Sequence, residues 1–150
     1  MSVNTDMAGR VYPPAPSYQI GREKIREFAA ATQATNPAHF DVEAAQALGH
    51  ADLLAPPTFA VIIAQQAEAA LVKDPEAGID FSRVVHADER FTYQRPLIAG
   101  MEVQATLSVE RIRAMGTGAM VSTKVTLQDV SDDSLVAEVF STLLVRGEDQ

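Results

Sequence analysis

Met101-Glu102-Val103-Gln104-Ala105-Thr106-Leu107-Ser108-Val109-Glu110 alternates apolar with polar residues at every step. A period of two puts the five apolar side chains on one face of an extended chain, which predicts a strand with one buried and one wet face. Beyond a hairpin turn at Gly116-Thr117-Gly118, the residues Ala119, Val121, Thr123, Val125 and Leu127 repeat the pattern. Leu135 to Val145, after the Asp132-Asp133-Ser134 turn, is apolar on both faces and is expected to be a central strand. Upstream, Arg83 to Tyr93 makes a fourth strand, with Val85, Ala87, Phe91 and Tyr93 on one side and His86, Asp88, Arg90 and Thr92 on the other. With a short strand near Ser17 to Ile20, the sheet has roughly five antiparallel strands.

Before Pro75 the period is helical. Gly21 to Gln33 sets Ile25, Phe28, Ala29 and Thr32 on one stripe among Arg22, Glu23, Arg26 and Glu27, an amphipathic helix that lies on something. Asp41 is placed to cap a short second helix, with Glu43 in its first turn and Gly49 closing it. Pro56-Pro57-Thr58 opens a third, Thr58 to Val72, apolar around most of its circumference through Phe59, Val61, Ile62, Ile63, Ala67 and Leu71. Such a helix belongs in a core. Helices followed by strands make an α+β domain.

Composition narrows the function. A length of 150 residues, 47% apolar and 21% charged, suits a single domain, 1–150. The absence of cysteine excludes a disulfide framework, a thiolate metal site and a cysteine nucleophile, and accords with a cytoplasmic location. Met1-Ser2-Val3-Asn4-Thr5-Asp6 lacks a basic start and an apolar run, so no secretory signal is expected. Phe59 to Val72 carries Gln65, Gln66 and Glu68 and, at about 14 residues, is too short and too polar to cross a bilayer. A net charge of −8 opposes docking on a phosphate backbone, so neither nucleic acid nor membrane is an expected partner. Asp132-Asp133 and Glu148-Asp149 read as solvated charge.

Some clusters invite a chemical reading. His86, Asp88 and Glu89 suggest a metal, but strict alternation puts Glu89 on the face opposite His86 and Asp88, and two ligands are too few for zinc. No metal and no cofactor are therefore expected. Gly116-Thr117-Gly118 lacks the third glycine and following helix of a nucleotide loop. The serines Ser17, Ser82, Ser108, Ser122 and Ser141 sit in no nucleophile elbow.

The order of elements is that of a hot-dog fold, a sheet wrapped around one long buried helix. Five segments carry a closer resemblance: Gly21-Arg22-Glu23-Lys24-Ile25-Arg26-Glu27-Phe28, Asn36-Pro37-Ala38-His39, Leu54-Ala55-Pro56-Pro57-Thr58-Phe59, Arg83-Val84-Val85-His86, and Arg95-Pro96 through Gly100. On these the chain resembles the MaoC-like (R)-specific hydroxyacyl dehydratase and hydratase superfamily, most closely its actinobacterial HadA-type branch, the partner subunit of a heteromeric (3R)-hydroxyacyl-ACP dehydratase. The resemblance extends over a core of about 11–146.

The resemblance implies a chemistry in which an aspartate and a histidine of a D-x-N-P-x-H run move water on and off an acyl thioester, while a backbone N–H at the start of the long helix holds the enolate oxygen. On this sequence the asparagine is Asn36, the proline Pro37 and the histidine His39, but Ala34 stands where the aspartate belongs. Pro56-Pro57 stands where catalytic members have His-Gly, and proline has no N–H. His39, vestigial or supporting, and Asn36 are the candidate catalytic residues. A structural His39, capping the second helix or bonding a backbone carbonyl, is the other reading. Pro57, Phe59, Ile62 and Ile63 are candidates for the wall along an acyl chain, or else plain core.

The expected function is thus the substrate-holding, non-catalytic subunit of a (3R)-hydroxyacyl-ACP or -CoA dehydratase in fatty-acid metabolism, inactive alone. Its partners would be an acyl-CoA or acyl-ACP thioester and, through the sheet, a second copy or a catalytic MaoC-like subunit. Two alternatives stand beside it: a non-enzymatic acyl-thioester-binding protein, and a homodimeric hydratase or thioesterase pairing His39 with a carboxylate, Asp41 being nearest. Arg22, Lys24 and Arg26 are placed to form a basic patch for an acidic carrier protein.

Overall fold

The computed structural model describes residues 2–148; Met1, of the opening segment, and Asp149, read above as solvated charge, lie outside the described residues. Five antiparallel strands, β1 (Tyr18–Gln19), β2 (Val84–Tyr93), β3 (Glu102–Met115), β4 (Gly118–Asp129) and β5 (Leu135–Val145), form one sheet in the order β1-β3-β4-β5-β2. Three α-helices, α1 (Arg22–Ala31), α2 (Val42–Ala47) and α3 (Ala60–Val72), occupy the first half of the chain. Val103, Leu107, Val121, Val125, Val139 and Leu143 from one face of the sheet are buried in one cluster with Ile63, Ala64, Ala67 and Leu71 of α3. This is the expected hot-dog arrangement. β5 pairs with β4 on one side and β2 on the other, so its two apolar faces belong to an interior strand.

Local chemistry sets the boundaries. The Asp41 carboxylate accepts the Glu43 N–H at 3.0 Å and caps α2, an interaction of about 0.5–2 kcal/mol. Thr32 donates its hydroxyl to the Phe28 carbonyl at 2.9 Å, and Gln33 turns to φ +58, ending α1 two residues short of its expected limit. α3 starts at Ala60 rather than Thr58. The N–H groups of Val61 and Ile62 reach the Thr58 and Phe59 carbonyls at 3.1 Å, a three-residue spacing that winds the first turn more tightly than an α-helix.

Two bulges depart from strict alternation. In β3 the register shifts between Val109 and Arg111, after which pairing resumes through Ile112 with Val121, so the strand runs to Met115, well past its expected end at Glu110. In β2 the shift falls between His86 and Asp88: His86 pairs with Leu143, Asp88 with Thr142 and Glu89 with Ser141. Ala87 is the extra residue. The face assignment from the sequence is therefore corrected: Val84, His86, Glu89, Phe91 and Tyr93 turn toward α3, and Val85, Asp88, Arg90 and Thr92 turn away. A bulge re-aims every side chain beyond it.

The two rims of the sheet differ. Along β3 the N-terminal segment runs as a strap, with the N–H groups of Gly9, Tyr12 and Ala15 bonded to the carbonyls of Val109, Leu107 and Ala105 at 2.7–2.9 Å. The opposite rim, β2, has β5 on its inner side and no strand on its outer side among the described residues. Beside it, Phe81 and Val85 are exposed, at 72% and 43%.

Candidate functional site

Asn36 begins a short turn, Pro37–His39, and its side-chain oxygen accepts the Ala38 N–H at 3.0 Å. The turn delivers His39 inward, where it is buried beside the loop that precedes α3. Its Nδ1 lies 2.6 Å from the Leu54 carbonyl. Leu54 in turn donates its N–H to the Ala38 carbonyl at 3.0 Å, so imidazole and backbone tie the turn to the loop twice. Asp41, the nearest carboxylate in sequence, is engaged in capping α2. His39 thus occupies the position in which a backbone carbonyl, not an acid, is its hydrogen-bond partner.

The start of α3 is closed in a way the sequence did not disclose. No side chain caps this helix at Phe59. Instead Tyr93, from the far end of β2, donates its hydroxyl to the Pro57 carbonyl in the loop that enters the helix. Burial pushes the Tyr93 phenol up to about 12, with the Ala60 N–H working against it. The contact ties the loop that enters α3 to the edge strand of the sheet. The only advance signal was the parity of Tyr93 with Phe91, which put both on one face; the two rings stack with centroids 6.4 Å apart.

Two cavities border these elements. One, of about 470 Å³, opens beside Leu54, Pro57, Tyr93 and Arg95. The other, of about 670 Å³, lies between the second half of α3 and the free rim of the sheet, lined by Glu68, Ala69, Val72, Phe81, His86 and Leu143 among others. Of the candidate wall residues, Pro57 lines the smaller cavity. Phe59 and Ile63 are buried in the core, Ile62 packs against it from a partly buried position, and the Phe59 ring meets Phe28 and Tyr18 edge-on at 5.5 and 6.4 Å. The larger cavity is faced by the later turns of the same helix.

The charged groups divide sharply between paired and buried. Arg22 grips Asp52 with two hydrogen bonds of 2.9 and 2.8 Å, Lys24 pairs with Glu27, and Arg26 pairs with Glu23. The proposed basic patch is matched carboxylate for cation. Hydrogen bonding by Arg22 and by the Leu53 N–H holds the Asp52 carboxyl below its usual range. Glu68, by contrast, is a carboxylate on the core side of α3, only 4% exposed. Its spacing from Ala64 and Leu71 on the buried stripe would have signalled this. Glu89 is half-buried, and desolvation lifts its carboxyl above the usual range against the opposing hydrogen bond from Ser141. No described helix is long and apolar enough to cross a membrane.

Comparison with known proteins agrees with this architecture. A UPF0336 protein of Leifsonia xyli subsp. xyli is 50% identical over 147 residues, 98% of each chain. Among solved structures, a chain of the C-terminally truncated HadBC (3R-hydroxyacyl-ACP dehydratase) complex from Mycobacterium tuberculosis is 32% identical with a TM-score of 0.83, over 93% of this chain and 98% of that one. A MaoC-like dehydratase is 28% identical with a TM-score of 0.86, over 95% of this chain but 43% of its own, longer chain. The description of the FAS1-like, dehydratase domain region fits residues 6–139. With that match over most of its length, the chain belongs to the FAS1-like dehydratase-region family.

Proposed function

We propose that this protein is the substrate-holding, non-catalytic subunit of a (3R)-hydroxyacyl thioester dehydratase, working beside a MaoC-like subunit that carries the Asp and His. The observation that carries this reading is the state of the would-be catalytic corner: Ala34 in place of the carboxylate, His39 with its Nδ1 2.6 Å from the Leu54 carbonyl, and Pro57, which has no N–H, before α3 with its carbonyl bonded by Tyr93. A general acid–base pair needs two groups within reach of one substrate, and here the second is missing. The lost parts are those of chemistry, while a cavity of about 470 Å³ beside Pro57 keeps space to hold a thioester. Asn36 and His39 then serve as scaffold for that space.

The HadBC complex is a precedent for a (3R)-hydroxyacyl-ACP dehydratase that works as a complex. The free rim of β2, with Phe81 and Val85 exposed beside it, is the surface through which we place the partner, because an unpaired strand edge with apolar neighbours is a template for a second strand. The substrate class is an acyl thioester on CoA or on an acyl carrier protein. The test is hydration of a crotonyl thioester by this chain alone, by a MaoC-like partner with an intact D-x-N-P-x-H run alone, and by the two together. Turnover that needs both chains, or that rises on adding this one, supports the proposal. Substantial turnover by this chain alone would replace it with a homodimeric enzyme.

A further inference from the structure

From the inner face of the sheet we infer a divalent-cation site formed by Glu68, His86 and Glu89. Among the described residues these form the one set of three metal-capable side chains whose ligand atoms lie within 4.8 Å of one another. The bulge at Ala87 makes the set possible, since strict alternation would have turned Glu89 to the other face. His86 Nε2 stands 3.7 Å from Glu68 Oε2 and 3.6 Å from Glu89 Oε1. Both separations are too long for a hydrogen bond, which would close to about 2.7–2.9 Å for a charged pair. They suit ligands of a shared ion: bonds of about 2.0–2.2 Å at tetrahedral angles set neighbouring donors about 3.3–3.6 Å apart.

The surroundings fit the same reading. Both carboxylates are held from the neighbouring strands: Glu68 Oε1, the oxygen not facing His86, accepts from the Thr123 hydroxyl at 3.2 Å, and the Ser141 hydroxyl lies 2.8 Å from Glu89 Oε1 and 2.9 Å from Oε2. Metal ligands are typically oriented by such outer hydrogen bonds. No lysine or arginine pairs with Glu68 or Glu89 among the described residues, so two carboxylates share one imidazole with no permanent positive charge. A dication would neutralise the pair, which matters for a glutamate as buried as Glu68. Two carboxylates and one imidazole suit zinc or manganese. Glu68 and His86 both line the cavity of about 670 Å³, so the ion keeps an open side on which an oxygen of a cavity occupant completes its coordination. The site rests on this geometry alone and stands independently of the dehydratase reading.

The test uses the untagged full chain, stripped with a chelator and titrated with Zn²⁺ or Mn²⁺ alone by calorimetry and by equilibrium dialysis with elemental analysis. One ion per chain is expected. Glu68→Gln, His86→Asn and Glu89→Gln should each weaken uptake by about 100-fold or more, and Ser141→Ala by about 10-fold or more, as for outer partners elsewhere. Asp88→Asn, on the opposite face, should change nothing. His86→Asn sits on a solvent-facing strand and keeps the fold testable where Glu68→Gln does not. Bound Mn²⁺ should broaden the imidazole signals of His86 selectively among the three histidines of the chain. Failure to take up either ion stoichiometrically, uptake only at millimolar concentration, or uptake that survives both Glu68→Gln and His86→Asn would overturn the assignment.

Discussion

If His39 is scaffold, removing its ring costs stability and leaves catalysis alone. His39→Ala takes away the group 2.6 Å from the Leu54 carbonyl and leaves that oxygen without its partner, a loss of about 1–3 kcal/mol for a buried acceptor. The void left by a ring that is only 5% exposed adds about 1 kcal/mol or more. The sum, about 2–4 kcal/mol, is larger than a helix cap alone would give, because the histidine bridges two segments far apart in sequence. In a domain of this size it lowers Tm by about 5–15 °C. His39→Asn, whose amide nitrogen falls near the position of Nδ1, should recover about half. The measurements are thermal and urea unfolding of this chain, and thioester hydration by the complex at a temperature where every variant stays folded. Turnover within about threefold of the parent is the expected result. A fall of about 100-fold with Tm and assembly unchanged would refute the reasoning and make His39 a general base.

The other expectations are shorter. Ala34→Asp should gain less than about tenfold in hydration by the isolated chain, because the missing N–H donor alone costs about 10² to 10³; a gain of two orders of magnitude would show the corner to be repairable. All three tyrosines have raised pKa values, Tyr93 to about 12, with burial as the leading cause for each. Because the folded state favours the protonated phenols, this stabilisation is complete below about pH 10 and is lost as pH rises through the folded values. Absorbance at 295 nm should therefore show little tyrosinate in the native protein at pH 10.5, and ordinary titration near pH 10 would contradict the packing. At the acid end, hydrogen bonds from Ser131 and Arg95 hold Asp129 below its usual range, so the stability it contributes is lost as pH falls below that range; Asp129→Asn should flatten the acid limb of an unfolding profile. Val85→Arg at the free rim should weaken assembly by tenfold or more in sedimentation equilibrium, whereas a parent protein that sediments as a 16.1 kDa monomer would remove the rim as an interface.

Much of the fold was legible because its signals are local. The alternation from Met101 to Glu110, the Asp41 cap and the turns at Gly116 and Asp132 each depend on neighbours within a few residues. The bulges at Ala87 and Glu110 were not legible, since an extra residue is decided by how a strand fits its partner and leaves no mark in the strand's own composition. For that reason the sequence alone argues against a metal at His86 and Glu89, through a parity argument that one residue undoes. Tyr93 and Glu68 show the same limit. Tyr93 reaches the start of α3 across 36 positions, and Thr123 meets Glu68 across 55. Ala34, His39 and Pro57 were readable at once, because what matters about them is the identity of the residue.

The N-terminal strap along β3 also bears on how large an assembly can grow. A sheet with two bare rims can add copies at both and run on as a fibril, whereas this sheet offers one bare rim, β2, and covers the other with its own chain. Among the described residues β2 is the one open rim, so joining two such sheets rim to rim uses up both open ends, and growth terminates at a closed pair whether the second chain is identical or not. Cutting away residues 2–15 would then do more than loosen the domain: it would turn a self-limiting particle into one with ends to spare.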